Sequence, residues 1–134
     1  MTATDIAMPV LGGRRVLVVD HDEDAAESLT AVLRLNGFDA HAARTGRDAL
    51  AEVATNRPGV VLIDPDLPDI RGWEIIRKCR SAAHGPSVIV TTGWTGAAHE
   101  AAARAAGADA VVLKPADPVQ LTRLLCTMHV PAGE

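Results

Sequence analysis

The feature that most narrows the possible folds is a run of four aliphatic residues, Val60-Val61-Leu62-Ile63, that ends in Asp64-Pro65-Asp66-Leu67-Pro68. A run without polar alternation and rich in β-branched side chains fits a strand covered on both faces, and such strands belong to parallel sheets with helices on either side. Pro65 and Pro68 disfavour continuation into a helix, so the carboxylate of Asp64 is delivered to the carboxyl end of the strand and held in a loop. In open α/β sheets that edge is where ligands bind, which makes Asp64 the first candidate for a chemical role.

The same grammar recurs along the chain. Val16-Leu17-Val18-Val19 runs into the acidic Asp20-His21-Asp22-Glu23-Asp24, Ser87-Val88-Ile89-Val90-Thr91 into Thr92-Gly93-Trp94, and Asp109-Ala110-Val111-Val112-Leu113 into Lys114-Pro115. Phe38 to Ala42 is weaker and reads as an edge strand. Between the strands lie helical spacings: Ala25, Leu29, Val32 and Leu33, stopped by Asn36-Gly37; Ala49, Leu50, Val53 and Ala54 behind a capping box at Thr45-Gly46-Arg47-Asp48; and Trp73, Ile75, Ile76 and Cys79. An alanine-dominated helix spans Ala97 to Ala106, and Asp117-Pro118 starts a last helix with Val119, Leu121, Leu124, Leu125 and Met128 expected inward. Strand then helix, five times over, with right-handed crossovers, predicts an α/β doubly wound sandwich on a five-stranded parallel sheet in the order 2-1-3-4-5.

A chain of 134 residues suits one such domain. Its net charge of −4, with one Phe, two Trp and no Tyr, supplies no basic surface and few rings for nucleic acid, and no attraction to an anionic membrane. Cys79 and Cys126 lack C-x-x-C spacing and read as reduced thiols of a cytoplasmic protein. Residues 1–13 carry neither a basic start nor a continuous apolar stretch; they read as a flexible lead-in, not a secretory signal.

The strand ends collect Asp20, Asp64, Thr92 and Lys114 at one edge. Carboxylates and a backbone carbonyl suit a hard cation such as Mg2+, while a lysine and a threonine suit the oxygens of a phosphoryl group. The set fits phosphoryl transfer onto an aspartate better than hydrolysis of a peptide or a sugar.

On these residues the chain resembles the receiver domain of bacterial two-component response regulators, most closely the single-domain chemotaxis-regulator type, over about Arg15 to Met128. Val16-Leu17-Val18-Val19-Asp20 is similar to the family's first strand and its acidic end. Val61-Leu62-Ile63-Asp64, with Leu67-Pro68 and Gly72, is similar to the phosphoacceptor strand and loop; Val90-Thr91-Thr92-Gly93 to the switch hydroxyl; and Leu113-Lys114-Pro115 to the lysine and its proline. The resemblance implies a flavodoxin-like (βα)5 receiver domain over 14–129, followed by a short tail, 130–134. It implies Asp64 as phosphoacceptor, Asp20 and the Asp66 backbone as Mg2+ ligands, Thr92 as switch hydroxyl, Lys114 as phosphate contact, and a cis Lys114-Pro115 bond. It further implies a regulatory domain without enzymatic activity beyond its own metal-dependent phosphorylation and dephosphorylation. The phosphodonor would be a histidine kinase or histidine phosphotransfer protein, and output would pass to a downstream protein partner. With five residues following His129, no DNA-binding or enzymatic output domain is expected on this chain.

Two positions depart from the family pattern. His21 stands where a second acid usually follows Asp20 and offers nitrogen where Mg2+ prefers oxygen. Several outcomes are open: His21 itself ligates, Asp22 replaces the missing carboxylate, the site takes Mn2+ or another divalent ion, or metal binding is weak. Val111 stands where the family commonly carries an aromatic switch residue, which leaves Trp94 as the nearby ring able to transmit a change. A second reading keeps the fold and drops the chemistry: a pseudo-receiver that His21 has made a phosphorylation-independent interaction module.

Overall fold

The computed structural model describes residues 14–81, 85–93, 97–114 and 117–127. Five strands, β1 (Arg15–Val19), β2 (Asp39–Ala43), β3 (Val60–Ile63), β4 (Ser87–Thr92) and β5 (Ala110–Leu113), alternate with five helices: α1 (Glu23–Leu35), α2 (Gly46–Asn56), α3 (Gly72–Ser81), α4 (Ala97–Ala106) and α5 (Pro118–Thr127). The sheet order is β2-β1-β3-β4-β5 and every pairing is parallel, as the repeated strand–helix grammar predicts.

The alternation of side chains along the strands splits the core in two. Leu17, Val19, Val61, Ile63, Val88 and Val90 face Ala49 of α2, Ile75, Ile76 and Cys79 of α3, and Ala103 and Ala106 of α4. Val16, Val18, Val60, Leu62 and Ile89 face Ala26 and Leu33 of α1 and Leu121 and Leu125 of α5. Burial on both faces is the reason these strands read as unbroken apolar runs.

Helix ends follow the local chemistry. The Asp22 carboxylate accepts from the Asp24 and Ala25 amides at the start of α1, and Thr45 Oγ1 accepts from the Asp48 amide at the start of α2. Past α1, Gly37 takes φ 92°, its amide reaches the Arg34 carbonyl, and the Phe38 amide reaches the Leu33 carbonyl, a Schellman closure. That closure uses Phe38, so β2 starts at Asp39, one residue later than its apolar pattern suggests.

Three apolar positions that recur at helical spacing face solvent. Val119 is 58% exposed, since Leu121 and Leu125 set the buried stripe of α5 and a residue two positions from Leu121 lies round the helix from it. On α1 the buried stripe is Ala26, Thr30 and Leu33, which leaves Ala25 exposed; Thr30 tolerates burial by donating its hydroxyl to the Ala26 carbonyl at 2.6 Å. Ala54 of α2 is exposed as well.

Candidate functional site

The sheet register brings the strand ends together. Val19 pairs with Ile63 and Ile63 with Val90, and each ladder continues one residue beyond its strand: the Asp20 amide donates to the Ala43 carbonyl at 3.0 Å, the Asp64 amide to Val19 at 2.9 Å and the Lys114 amide to Thr92 at 2.8 Å. Asp20 and Asp64 are thereby fixed side by side, 5% and 7% exposed, with Thr92 buried at the end of β4, the strand next to that of Asp64.

Each of the two carboxylates divides its oxygens between the same two jobs. One oxygen steadies its own loop: Asp20 Oδ1 accepts from the Asp22 amide at 3.0 Å, and Asp64 Oδ1 from the Asp66 amide at 2.9 Å. The other accepts from a shared cation, since Lys114 Nζ lies 2.6 Å from both Asp20 Oδ2 and Asp64 Oδ2. Burial works against the Lys114 ammonium, but hydrogen bonds to Asp20 and Asp64, reinforced by their charges, prevail and hold its pKa above the ordinary 10.5. Two acids and one ammonium leave this crevice with one net negative charge, suited to a further cation.

The remaining sequence candidates fall into four groups. His21 joins the cluster: its Nδ1 lies 3.8 Å from Asp20 Oδ1, and one ligand atom each from Asp20, His21 and Asp64 fall within 4.8 Å of one another. Asp22 is committed to capping α1, and Asp66 is exposed with its amide on Asp64. Val111 is partly buried against the core shared with α3 and α4. Trp94 and Pro115, with the expected cis bond, lie outside the described residues.

Asp69 is a residue that sequence reasoning passed over. Its Oδ1 accepts from the Gly46 amide at 2.7 Å and from the Ile70 amide at 2.9 Å, and its Oδ2 from the Arg47 amide at 3.0 Å. One exposed carboxylate thus ties the loop after Asp64 to the first turn of α2, where the helix dipole also favours it. The Gly46 bond, foremost, holds the Asp69 carboxyl below its ordinary 3.8, against a smaller opposing effect of burial and with help from Arg47 and Ile70. The signal available in the sequence, an acid one residue after Pro68, does not reveal a partner 23 residues away. The loop closes at Gly72, whose amide donates to the Pro65 carbonyl at 3.1 Å, and a Cβ at this position would stand 2.4 Å from Pro65 Cα. No side chain larger than hydrogen fits there without moving the loop.

Comparison with known proteins agrees with this geometry. A family model described as the response regulator receiver domain matches residues 16–125. Response regulator MprA of Mycolicibacterium vanbaalenii is 37% identical over 108 residues, which cover 81% of this chain and 45% of that protein. DNA-binding response regulator MtrA of Mycolicibacterium smegmatis is 39% identical over 108 residues, covering 81% and 47%. The chain spans about half the length of these curated relatives. Among solved structures, a response regulator receiver domain protein (CheY-like) from Methanospirillum hungatei is similar with a TM-score of 0.79 at 29% identity, covering 85% of this chain and 91% of that one.

Proposed function

The chain belongs to the response regulator receiver domain family, and on that premise we propose that it is a phosphorylation-dependent switch of a two-component pathway with Asp64 as its phosphoryl acceptor. The observation that carries this reading is the convergence of Asp20, Asp64 and Lys114, with one ammonium 2.6 Å from a carboxylate oxygen of each acid. An Asp64 oxygen forms the new P–O bond while the P–N bond of a donor phosphohistidine breaks, and the departing imidazole keeps the electron pair and takes up a proton. The donor is a histidine kinase or a histidine phosphotransfer protein. Lys114 follows the incoming charge and contacts a phosphoryl oxygen, and the Thr92 hydroxyl binds another.

The donor set fits a divalent cation, because the acids already share a cation in the form of the Lys114 ammonium. Asp20, Asp64 and the Asp66 carbonyl are the groups that would hold Mg2+, with His21 in place of a further oxygen ligand. When bound, the ion supplies neutralisation of the charge on the transferring phosphoryl group.

Phosphorylation adds roughly two negative charges where one ammonium now faces two acids, and shifts the population of the β4 and β5 ends. The surface read by a downstream protein consists of α4 and β5, which follow Thr92 in the chain, and α5, which follows Lys114. MtrA is a DNA-binding response regulator, and this chain matches 47% of it; for the acidic domain described here we propose protein partners and no direct nucleic-acid contact. Among the described residues no helix is long and apolar enough to cross a membrane, and encounter with the kinase is assigned to the cytoplasm. The role is regulatory, with no catalysis beyond the turnover of its own phosphoryl group.

Incubation with acetyl phosphate and a divalent ion, followed by intact mass measurement, tests the reading. A phosphate-sized gain that disappears in Asp64→Ala is the expected result. No gain in a folded protein with any ion would identify a phosphorylation-independent interaction module instead.

A further inference from the structure

We infer that the carboxyl edge of the sheet is selective for a divalent ion that accepts imidazole nitrogen, of the Co2+ or Zn2+ class, held by Asp20, Asp64 and His21 in preference to Mg2+. The inference deepens the proposed function, since it names the ion of the same site and rests on that site being a metal centre.

Three observations carry it. First, the donor set is mixed: two carboxylates and one imidazole offer ligand atoms within 4.8 Å of one another. Mg2+ takes oxygen donors and keeps its waters, whereas imidazole suits later first-row ions and Zn2+. Second, the ligand atoms can close to coordination distance with modest side-chain turns. A four-coordinate ion with bonds of about 2.0–2.1 Å spaces its ligands by roughly 3.3 Å, so His21 Nδ1, 3.8 Å from Asp20 Oδ1, has to close by about half an ångström, and no pair of the three, all within 4.8 Å, by more than about one and a half. The His21 side chain is 55% exposed and has room to turn. Third, a cation already bridges the acids, because Lys114 Nζ touches Asp20 Oδ2 and Asp64 Oδ2 at 2.6 Å. Asp22, the side chain able to supply another carboxylate oxygen, has its Oδ1 occupied with the Asp24 and Ala25 amides.

Lys114 is the competitor that any ion must displace from at least one carboxylate. Its charge lies on a flexible stem, 29% exposed, and can withdraw without unfolding the strand end. An ion bound to nitrogen as well as to oxygen is better able to win that exchange than one limited to Asp20, Asp64, the Asp66 carbonyl and water. His21 is the residue that sets this preference.

The test uses the full chain and separate titrations with MgCl2 and CoCl2, read by calorimetry and by the visible absorption of Co2+. Because carboxylates alone favour Co2+ over Mg2+ to some extent, the decisive quantity is the ratio of the two dissociation constants in wild type relative to variants. The inference expects that ratio to fall at least roughly tenfold in His21→Ala through weaker Co2+ binding, and to fall in His21→Asp through stronger Mg2+ binding. It also expects the His21 ring resonances to shift on addition of ZnCl2 in step with the Asp20 and Asp64 amides. Equal ratios in wild type and His21→Ala, or a His21 ring that does not respond while the aspartate amides do, would overturn it. The phosphoryl assay above separates the two readings. Selectivity without a mass gain on Asp64 sustains the inference and removes the switch, whereas a mass gain with Mg2+ and an unchanged ratio in His21→Ala sustains the switch and removes the inference.

Discussion

The amide of Lys114 donates to the carbonyl of Thr92 at 2.8 Å, which joins the two residues proposed to meet the phosphoryl group by a backbone hydrogen bond at the β4–β5 edge. A shift of one strand end is carried to the other through this bond. The same edge strand is incompletely covered, with Leu113 50% exposed. A rearrangement here disturbs less packing than it would between β1 and β3, which lie in the middle of the sheet.

Replacing Lys114 by Met leaves Asp20 and Asp64 facing each other without a counter-charge. Stability in metal-free buffer is expected to drop by about 1–2 kcal/mol, between the limits for exposed and buried pairs. Added divalent ion should narrow the gap. The folded Lys114 pKa is raised above 10.5, so its contribution is complete below that value and is lost as pH rises through the higher folded one. Urea unfolding of wild type and variant, from neutral pH to above 10.5, should therefore converge at the alkaline end.

Asp69→Asn removes the charge from the tether between the Asp64 loop and α2 and turns one of its two acceptor atoms into a donor facing an amide. The midpoint of thermal unfolding should fall at neutral pH, and phosphorylation by a small phosphodonor should slow. The wild-type carboxyl titrates below its ordinary 3.8. Its stabilisation is thus present above that value and disappears as pH falls through the folded pKa. Thermal unfolding followed by circular dichroism from neutral to acid pH should show wild type and Asp69→Asn converging as the carboxyl protonates.

Gly72→Ala places a methyl group 2.4 Å from the Pro65 backbone. Because the obstacle is backbone and not the tip of a flexible side chain, the loop must move. A loss of about 1–3 kcal/mol is expected, together with slower phosphorylation of Asp64, both measurable on one preparation by denaturant unfolding and intact mass.

The two thiols should differ sharply in reactivity. Cys79 is buried in the α3 face of the core, and desolvation pushes its pKa up to about 11 against a weaker opposing pull from Arg80. Cys126 is exposed on α5. Iodoacetamide at mildly alkaline pH should label Cys126 alone in the folded protein and both residues after denaturation; early labelling of Cys79 would show that α3 opens readily.

Much of the architecture was legible because its causes are local. Unbroken apolar runs mark strands covered on both faces, Asn36-Gly37 marks a helix end, and Thr45 with Asp48 marks a helix start. The right-handed crossover rule then leaves few ways to order five strands. The errors were local too: Val119, Ala25 and Ala54 are apolar residues at helical spacing, but which stripe of a helix turns inward is decided by the sheet it lands on. An alanine on either side of that stripe looks the same in sequence.

By itself, the sequence determined the strand–helix alternation, the parallel sheet, and the delivery of Asp20, Asp64, Thr92 and Lys114 to strand ends, because periodicity and turn chemistry act over a few residues. Only the tertiary structure decided that the Lys114 ammonium sits between two acids 94 and 50 residues away, that Asp69 ties its loop to Gly46, and that Asp22 caps a helix while His21 stands beside the carboxylates. Those relationships depend on which strands become neighbours and on how far each side chain reaches across the edge, and distances of that kind are set by closure of the whole sheet.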